Sequence, residues 1–288
     1  MKVQPDCYHC CLRQVLESVR FATDDPKVHQ QVMLEALEVM KSFDYNKTSP
    51  IMGRAVHKLV EKHTGVKDPY QKVKEESIAV ALELYPSFKK FVAEQEDKLS
   101  AAIQVSALGN LLDAAAYGDL RQVDWEKVFQ NELAKNHKLG DIEKLRGELK
   151  AAKSVLIIGD NAGETVFDRI LAAEIKAANE AVEVFYGVRG YPIINDATMQ
   201  DAIHSGLGEE TTIVDTGSSA PGLVLKDAPA EFLKLYNKAD VVISKGQGNY
   251  EILEEDPKRP IYFLLKAKCS TIAAHLGVDL DTLVFLQK

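Results

Sequence analysis

The first half of the chain carries apolar residues at the spacing of amphipathic helices. Within 12–19 and again within 99–116, apolar positions recur three and four residues apart, which places them on one helical face. Proline follows Asp25 and Ser49, and proline is favoured in the first turn of a helix. This pattern predicts a mainly helical region over roughly the first 150 residues.

The pattern changes at Lys153, where short runs of β-branched and other apolar residues begin to alternate with helical stretches. Such runs, bounded by glycine or charged residues, are typical of strands buried on both faces of a parallel sheet. Their alternation with helices predicts a doubly wound sheet. The five runs are SVLIIGD, AVEVFYGV, TTIVDTG, ADVVISKG and PIYFLLKAK.

The predicted fold class is α/β, with a helical N-terminal region followed by a Rossmann-like α/β/α domain that has a mostly parallel sheet. We assign residues 1–150 to the helical region and residues 151–288 to the Rossmann-like domain. The junction reads KLRGELKAAK, which is not a linker rich in proline or glycine. We therefore expect the helical region to pack on the α/β domain.

Composition excludes several classes of function. Apolar residues make up 46% of the chain, enough for a large core, and the net charge is −8. A protein that binds DNA or RNA along its backbone needs a basic face, and no dense Lys/Arg run is present. The sequence has no signal-peptide pattern and no apolar run of the roughly 20 residues that span a bilayer. We expect a cytoplasmic protein that binds neither nucleic acid nor membranes.

Polar and charged residues follow each predicted strand. The carboxyl ends of parallel strands meet at one edge of a sheet, where ligands bind. Glycines there let backbone N–H groups approach an anion, and helix N-termini favour phosphate. We therefore predict a phosphate-binding edge. The segments at these ends are 159–164, Arg189-Gly190 with Asn195-Asp196, 215–219, 245–249 and Lys266.

Asp160, Asn161 and Asp196 form a candidate metal site at this edge. Two carboxylates and an amide oxygen suit Mg²⁺ or Mn²⁺. Phosphate monoester hydrolysis can require an acceleration of up to ~10²¹, which favours help from a cation. Each residue also has a structural interpretation, since Asp160 could cap the following helix and Asp196 could shape a turn. Glu164 and Arg189 are predicted to bind substrate at the same edge.

Other phosphate-binding motifs do not fit. Neither GDNAGET nor GQGNYE has the G-x-G-x-x-G spacing or the P-loop pattern. Phosphatases of the haloacid-dehalogenase type use a D-x-D motif after a strand, and Ala162 stands where the second aspartate would be.

The chain resembles the damage-control phosphatase family, long catalogued as domain-of-unknown-function family 89. The resemblance covers essentially the whole chain, and Cys7, Cys10 and Cys269 resemble the cysteine-bearing microbial branch. Its motifs here are Gly109-Asn110 with Asp113, Asp160-Asn161-Ala162-Gly163-Glu164, Asn195-Asp196 and Lys245-Gly246-Gln247-Gly248-Asn249.

The resemblance implies hydrolysis of small phosphorylated metabolites with a divalent cation, Mn²⁺, Co²⁺, Ni²⁺ or Mg²⁺. It implies that Asp160, Asn161 and Asp196 bind the metal and that Lys266 binds the substrate phosphate. It further implies that Lys245 and Asn249 contribute from the fourth strand end, and that Asn110 and Asp113 reach in from the helical region.

Some branches carry Arg-Thr shortly before the phosphate-binding lysine, and their acidic residue stands one position after Glu164. In this chain Phe263 and Leu264 occupy the places of Arg-Thr. The sugar phosphate preferences of those branches therefore do not carry over.

Two mechanisms and three functions are compatible with these residues. A water activated by the cation could attack phosphorus, or Asp160 could act as a covalent nucleophile. The leading hypothesis is a metal-dependent phosphatase. The alternatives are a non-catalytic protein that binds phosphometabolites or nucleotides, and a transferase, which the same sheet type supports.

The cysteines allow three interpretations. Cys7 and Cys10 lie three residues apart, on one face of a predicted first helical turn, next to Cys11. They could bind a structural Zn²⁺ with Cys269 and either His9 or Cys11, form a redox pair, or be small packing residues. No second CxxC motif is present to decide among these.

Overall fold

The computed structural model of the chain describes residues 1–112, 120–135, 137–256 and 258–288. Seven strands form one sheet in the order β1-β7-β6-β5-β2-β3-β4. All neighbours are parallel except β6 and β7, which are antiparallel. The strands are β1 (Lys138–Leu139), β2 (Ser154–Ile158), β3 (Glu183–Val188), β4 (Thr212–Asp215), β5 (Val241–Lys245), β6 (Tyr262–Lys266) and β7 (Leu283–Gln287).

The helices of the N-terminal region precede β2, and the remaining helices connect the strands from β2 to β7. The first group is α1 (Pro5–Ala22), α2 (Pro26–Lys41), α3 (Ser49–Thr64), α4 (Gln71–Ala93), α5 (Lys98–Leu108), α6 (Trp125–Leu133) and α7 (Ile142–Leu149). The second group is α8 (Glu164–Ala178), α9 (Met199–His204), α10 (Ala230–Lys238), α11 (Gln247–Leu253) and α12 (Ser270–Leu276).

The predicted α/β class and mostly parallel sheet are confirmed. Each of the five predicted runs forms a strand, β2 to β6. The region predicted to be mainly helical, over roughly the first 150 residues, also contains a short strand, β1, which pairs with β7. A strand of two residues is too short for a periodic pattern, and its partner lies at the other end of the chain.

The sheet is packed on both faces. One core contains Val155 and Ile157 of β2 together with residues of α4, α5 and α8. The second core contains Leu156 and Ile158, which point to the opposite face, with residues of α10, α11 and α12. The helical region thus shares the first core with the sheet.

Helices α1, α2 and α3 form a smaller apolar cluster of their own, which includes Val15, Val32 and Val56. Proline stands at the start of each of these helices, and the side chain of Asp25 caps α2, as preferred at helix N-termini. A buried ion pair joins the helical region to the loop side of the sheet, because Lys74 of α4 lies 2.8 Å from Asp201 of α9.

The chain crosses the sheet in two directions from β2. The strands that follow β2 are added on one side as β3 and β4, and then on the other side as β5 and β6. The boundary between β2 and β5 is therefore the topological switch point, where doubly wound sheets form a ligand crevice.

Because α5 and the sheet share one core, we expect Ile103→Ala to destabilise the whole chain. Ile103 is fully buried, and a buried Ile-to-Ala change costs about 2–5 kcal/mol. Urea unfolding followed by circular dichroism and by the fluorescence of Trp125 measures this. The control Leu34→Ala, at an exposed position of α2, is expected to change the free energy of unfolding by about 0.5 kcal/mol or less. If circular dichroism and Trp125 fluorescence reported unfolding at different urea concentrations, this result would contradict the shared core.

Candidate active site

The loops after β2 and β3 are joined by backbone hydrogen bonds. The amide of Ala197 donates to the carbonyl of Asp160 at 2.7 Å, and the amide of Ala162 donates to that of Asn195 at 2.9 Å. Asn161 and Asp196 form an isolated β-bridge between the same loops. This pairing brings Asp160, Asn161 and Asp196 to one place, as the positions of the strand ends predict.

These three residues line one cavity of about 270 Å³. Its opposite walls come from the helical region and from the segment after β6. Residues of α1 that line it include Cys10, Gln14 and Phe21, and Lys268 follows β6. The cavity therefore lies between the α/β domain and the helices that precede it in the chain.

Arg189, at the end of β3, lies beside the two aspartates. Its Nε donates to Oδ2 of Asp196 at 2.7 Å, and its Nη2 lies 3.7 Å from Oδ1 of Asp160. Among the described residues, neither Nη1 nor Nη2 has a hydrogen-bond partner. Arg189 is not one of the cavity-lining residues, so in this structure it contacts the aspartates and not the cavity.

A second buried ion cluster lies next to the first. The Lys245 ammonium lies 2.6 Å from Oε1 of Glu164 and 2.5 Å from Oδ1 of Asp168, and it donates to Oγ of Ser106 at 2.6 Å. These contacts use all three N–H bonds of the ammonium. The other oxygen of Glu164 accepts a 3.4 Å hydrogen bond from the backbone amide of Asn161.

The side chain of Asn249 is likewise buried and hydrogen-bonded to other groups of the protein. Its amide nitrogen donates to the carbonyls of Gly159 and Lys245, and its oxygen accepts from the amide of Leu223. Neither Lys245 nor Asn249 lines the cavity. Both were predicted to bind substrate; the structure instead places Asn249 where it joins the ends of β2 and β5, and Lys245 where it contacts Glu164 and Asp168 of α8 and Ser106 of α5.

Asn110 reaches the site from the turn after α5, as predicted, and donates to Oδ2 of Asp160 at 3.2 Å. Its own oxygen is buried and has no hydrogen-bond partner within the described ranges. The predicted neighbour Asp113 lies outside the described residues.

Lys266 and Lys268 differ in what they contact. The Lys266 ammonium lies 3.3 Å from Glu132 and 3.6 Å from Asp281, and it does not line the cavity. Lys268 lines the cavity, is exposed, and forms no ion pair with the described residues. Burial raises the pKa of both Asp160 and Asp196, and the charge of Lys268 opposes part of this rise. Sequence reasoning missed Lys268; its place just past the end of β6 is the signal that could have identified it.

The two ion clusters contain an excess of negative charge. Three buried carboxyl groups, those of Glu164, Asp168 and Asp196, and the partly exposed Asp160 face two buried cations, Arg189 and Lys245. Full ionisation would leave a net charge of −2. Burial raises the pKa of Asp160 to about 6, with a further contribution from the charge of Asp196. Burial likewise raises the pKa of Glu164 to about 7 and raises that of Asp196.

All four cysteines of the chain are free thiols that line the same cavity. Burial raises the pKa of Cys7, Cys10 and Cys11, and the neighbouring charge of Cys269 adds to the shift of the first two. The thiol of Cys269 accepts a hydrogen bond from Gln247. Cys7, Cys10 and Cys269, which were predicted as a second metal site, thus face one cavity, although no group of three His, Cys, Asp or Glu side chains in the described residues is arranged to hold a metal.

No helix in the described part of the chain is long and apolar enough to cross a membrane.

The raised pKa of Asp160 predicts how stability depends on pH when divalent cations are removed by a chelator. A carboxyl whose pKa is higher in the folded state stabilises the fold fully below its ordinary pKa, and this contribution is lost as pH rises through the folded value. We expect Asp160→Asn to be more stable than wild type at pH 8, by on the order of 1–3 kcal/mol, and nearly equal at pH 4. Urea unfolding at both pH values measures the difference.

Asp240 offers a control of opposite sign. Hydrogen bonds from the backbone amide of Lys153, and next from that of Ser154, lower its pKa. A carboxyl with a lowered pKa stabilises the fold above its ordinary pKa. We therefore expect Asp240→Asn to destabilise the protein at pH 8. If Asp160→Asn and Asp240→Asn changed the free energy of unfolding equally at pH 8, the charge of Asp160 would have no influence on stability.

Comparisons with known proteins agree with the family resemblance. Residues 3–284 match the family model described as a damage-control phosphatase ARMT1-like domain. A protein of Archaeoglobus fulgidus named a damage-control phosphatase is 32% identical, covering 99% of this chain and 98% of its own length. One of Pyrococcus horikoshii with the same description is 33% identical, covering 100% and 98%. An uncharacterised protein of Methanocaldococcus jannaschii is 34% identical, covering 100% and 96%.

A solved structure shows the same fold. The crystal structure of a DUF89 family protein from Pyrococcus horikoshii matches with a TM-score of 0.89 and 33% identity, covering 100% of this chain and 99% of that one. Family model, relatives and fold agree over essentially the whole length. The chain belongs to the damage-control phosphatase family with an ARMT1-like domain.

Proposed function

We propose that this protein is a phosphatase that hydrolyses phosphate monoesters of small metabolites with a divalent cation bound by Asp160, Asn161 and Asp196. The observation that carries the proposal is the convergence of Asp160, Asn161 and Asp196 on one cavity, next to a second ion cluster; in the two clusters together, carboxylates outnumber cations by two. Relatives that are named damage-control phosphatases support the same reaction class.

The floor of the cavity fits a hard divalent cation. Its oxygen ligands would be the carboxylates of Asp160 and Asp196 and the side-chain oxygen of Asn161, a set suited to Mn²⁺, Co²⁺, Ni²⁺ or Mg²⁺. No group of three His, Cys, Asp or Glu side chains in the described residues is arranged for a metal, so the amide of Asn161 is part of the proposal. When bound, such a cation supplies Lewis acidity to the phosphoryl group.

The residues of this chain have separate tasks in the proposed reaction. Lys268, a cation at the cavity wall close to both aspartates, binds the phosphoryl oxygens of the substrate. Asn110 orients Asp160 by its hydrogen bond. Glu164 fixes the backbone of Asn161, and Arg189 holds Asp196.

The two mechanistic alternatives, attack by water and attack by Asp160, both stay predictions.

A structural Zn²⁺ at Cys7, Cys10 and Cys269 also stays a prediction. Burial raises the thiol pKa of Cys7 and Cys10, and bound zinc would require both to lose their protons.

Release of inorganic phosphate from a panel of phosphate esters tests the reaction. We expect hydrolysis with Mn²⁺, Co²⁺, Ni²⁺ or Mg²⁺, its loss on chelation, and a fall of roughly 10²-fold or more in kcat for Asp160→Ala, because one of two charged ligands is missing. Asp279→Ala, at an exposed position away from the cavity, serves as the matched control. Activity that survives chelation, or full activity of Asp160→Ala, would refute the proposal.

The two lysines near the end of β6 give a second test. We expect Lys268→Ala to raise the KM for phosphate esters and the inhibition constant for inorganic phosphate, since it removes a cation of the cavity wall that forms no ion pair within the described residues. Lys266→Ala is expected to act on stability instead, because Glu132 is buried and loses an ion-pair partner. Steady-state kinetics together with urea unfolding separate the two effects. If instead Lys266→Ala raises these two constants and Lys268→Ala affects only stability, Lys266 would be the lysine that binds phosphate.

A further inference from the structure

A fully buried carboxylate lies next to the candidate metal site and has no task in the proposed reaction. Asp168 of α8 is fully buried and does not line the cavity. Its Oδ1 accepts hydrogen bonds from the hydroxyl of Ser106 and from the ammonium of Lys245, each at 2.5 Å. Its Oδ2 accepts one from the hydroxyl of Tyr186 at 2.6 Å. A buried carboxylate that accepts from three donors can fix the long side chains that reach it.

The first of these long side chains connects Asp168 to Asn161. The Lys245 ammonium bridges Asp168 and Glu164, which lie four residues apart on one face of α8. Two carboxylates at this spacing repel each other, and the ammonium between them holds both. The other oxygen of Glu164 accepts a hydrogen bond from the backbone amide of Asn161 at 3.4 Å. Two ion pairs and one hydrogen bond thus lead from Asp168 to Asn161.

The second long side chain connects Asp168 to Gly159. Tyr186 of β3 is fully buried and pairs with Ile157 of β2. A side chain at position 159 would begin 2.4 Å from Cε1 and 2.6 Å from Oη of Tyr186. Only glycine therefore lets the backbone come so close to the ring. The ring packs on Gly159, which directly precedes Asp160.

Asp168 therefore supports the metal-binding segment from two sides. One support ends at the amide of Asn161 and the other at the backbone of Gly159, and Asp160 lies between them in the chain. Groups that hold metal ligands in place contribute to metal affinity. Apolar residues of similar volume often replace a buried ion cluster without loss of stability, so stability alone does not account for this cluster.

We propose that Asp168 is a positioning residue for the metal site: through Lys245 and Tyr186 it fixes the segment that carries Asp160 and Asn161, and thereby sets the affinity for the divalent cation. The inference rests on the proposed function, because it assumes that a cation binds these residues. It assigns tasks to two side chains that do not line the cavity, those of Lys245 and Tyr186.

Calorimetric titration with Mn²⁺, Co²⁺, Ni²⁺ and Mg²⁺ tests the inference, and the binding that is lost in Asp160→Ala identifies the site. We expect Asp168→Asn to raise the Kd of the cation at this site by about 10- to 100-fold, because it removes the charge that holds Lys245. Tyr186→Phe, which removes only the hydroxyl, is expected to raise this Kd by about 10-fold. The electron paramagnetic resonance spectrum of bound Mn²⁺ is expected to broaden in both variants, since the ligands are held less uniformly.

Ile175→Ala is the matched control for a loss of stability. Ile175 is a fully buried apolar residue of the same helix and takes no part in the ion cluster. Its truncation is expected to lower the free energy of unfolding and to leave the Kd and the spectrum of bound Mn²⁺ unchanged.

A wild-type Kd in Asp168→Asn would overturn the inference, as would an equal rise of the Kd in Ile175→Ala. If Asp168→Asn does not fold, a wild-type Kd in Tyr186→Phe overturns it. Each of these results leaves the proposed function standing, because wild type still binds the cation at Asp160. A wild-type protein that binds none of the four cations would overturn the proposed function and the inference together.

Discussion

An excess of buried negative charge at the carboxyl ends of β2 and β3 is the constraint on which the rest of this structure depends. Carboxylates without a counter-charge are costly in a dry interior. Arg189 and Lys245 each contact two of them, so that two of the four negative charges are not neutralised when all four groups are ionised. The protein can relieve this excess by taking up protons, as the raised pKa values of Asp160 and Glu164 indicate, or by binding a divalent cation.

The fold holds these groups in place despite their mutual repulsion. Two loops are joined through backbone hydrogen bonds and the bridge between Asn161 and Asp196. Gly246, at the end of β5, has a positive φ of 79°, and any side chain there would overlap the Asp160 carboxylate. Glycine is therefore required both by the backbone conformation and by the space that Asp160 occupies. Asn249 completes the arrangement by hydrogen bonds to both strand ends.

The helical region contributes differently from the α/β domain. Its α4 and α5 share the core of the sheet and supply Ser106 and Asn110 beneath the site, whereas α1 forms a wall of the cavity. The groups proposed for the reaction are thus held mainly by the sheet, whereas the α1 wall belongs to a separate small core.

Much of this architecture follows from local sequence. The β-branched runs after Lys153 determine β2 to β6, because strands buried on both faces need continuous apolar residues. The rule that parallel strands end at one edge then brings Asp160, Asn161 and Asp196 together. What only the tertiary structure decided is which charged side chains face the cavity. Lys245 and Lys266 bind carboxylates contributed by distant segments, Asp168 and Glu132, while Lys268 stays unpaired among the described residues and lines the cavity. Partners so far apart in the chain leave no periodic signal. Packing alone determines whether a lysine at a strand end is a buried counter-ion or a ligand for substrate.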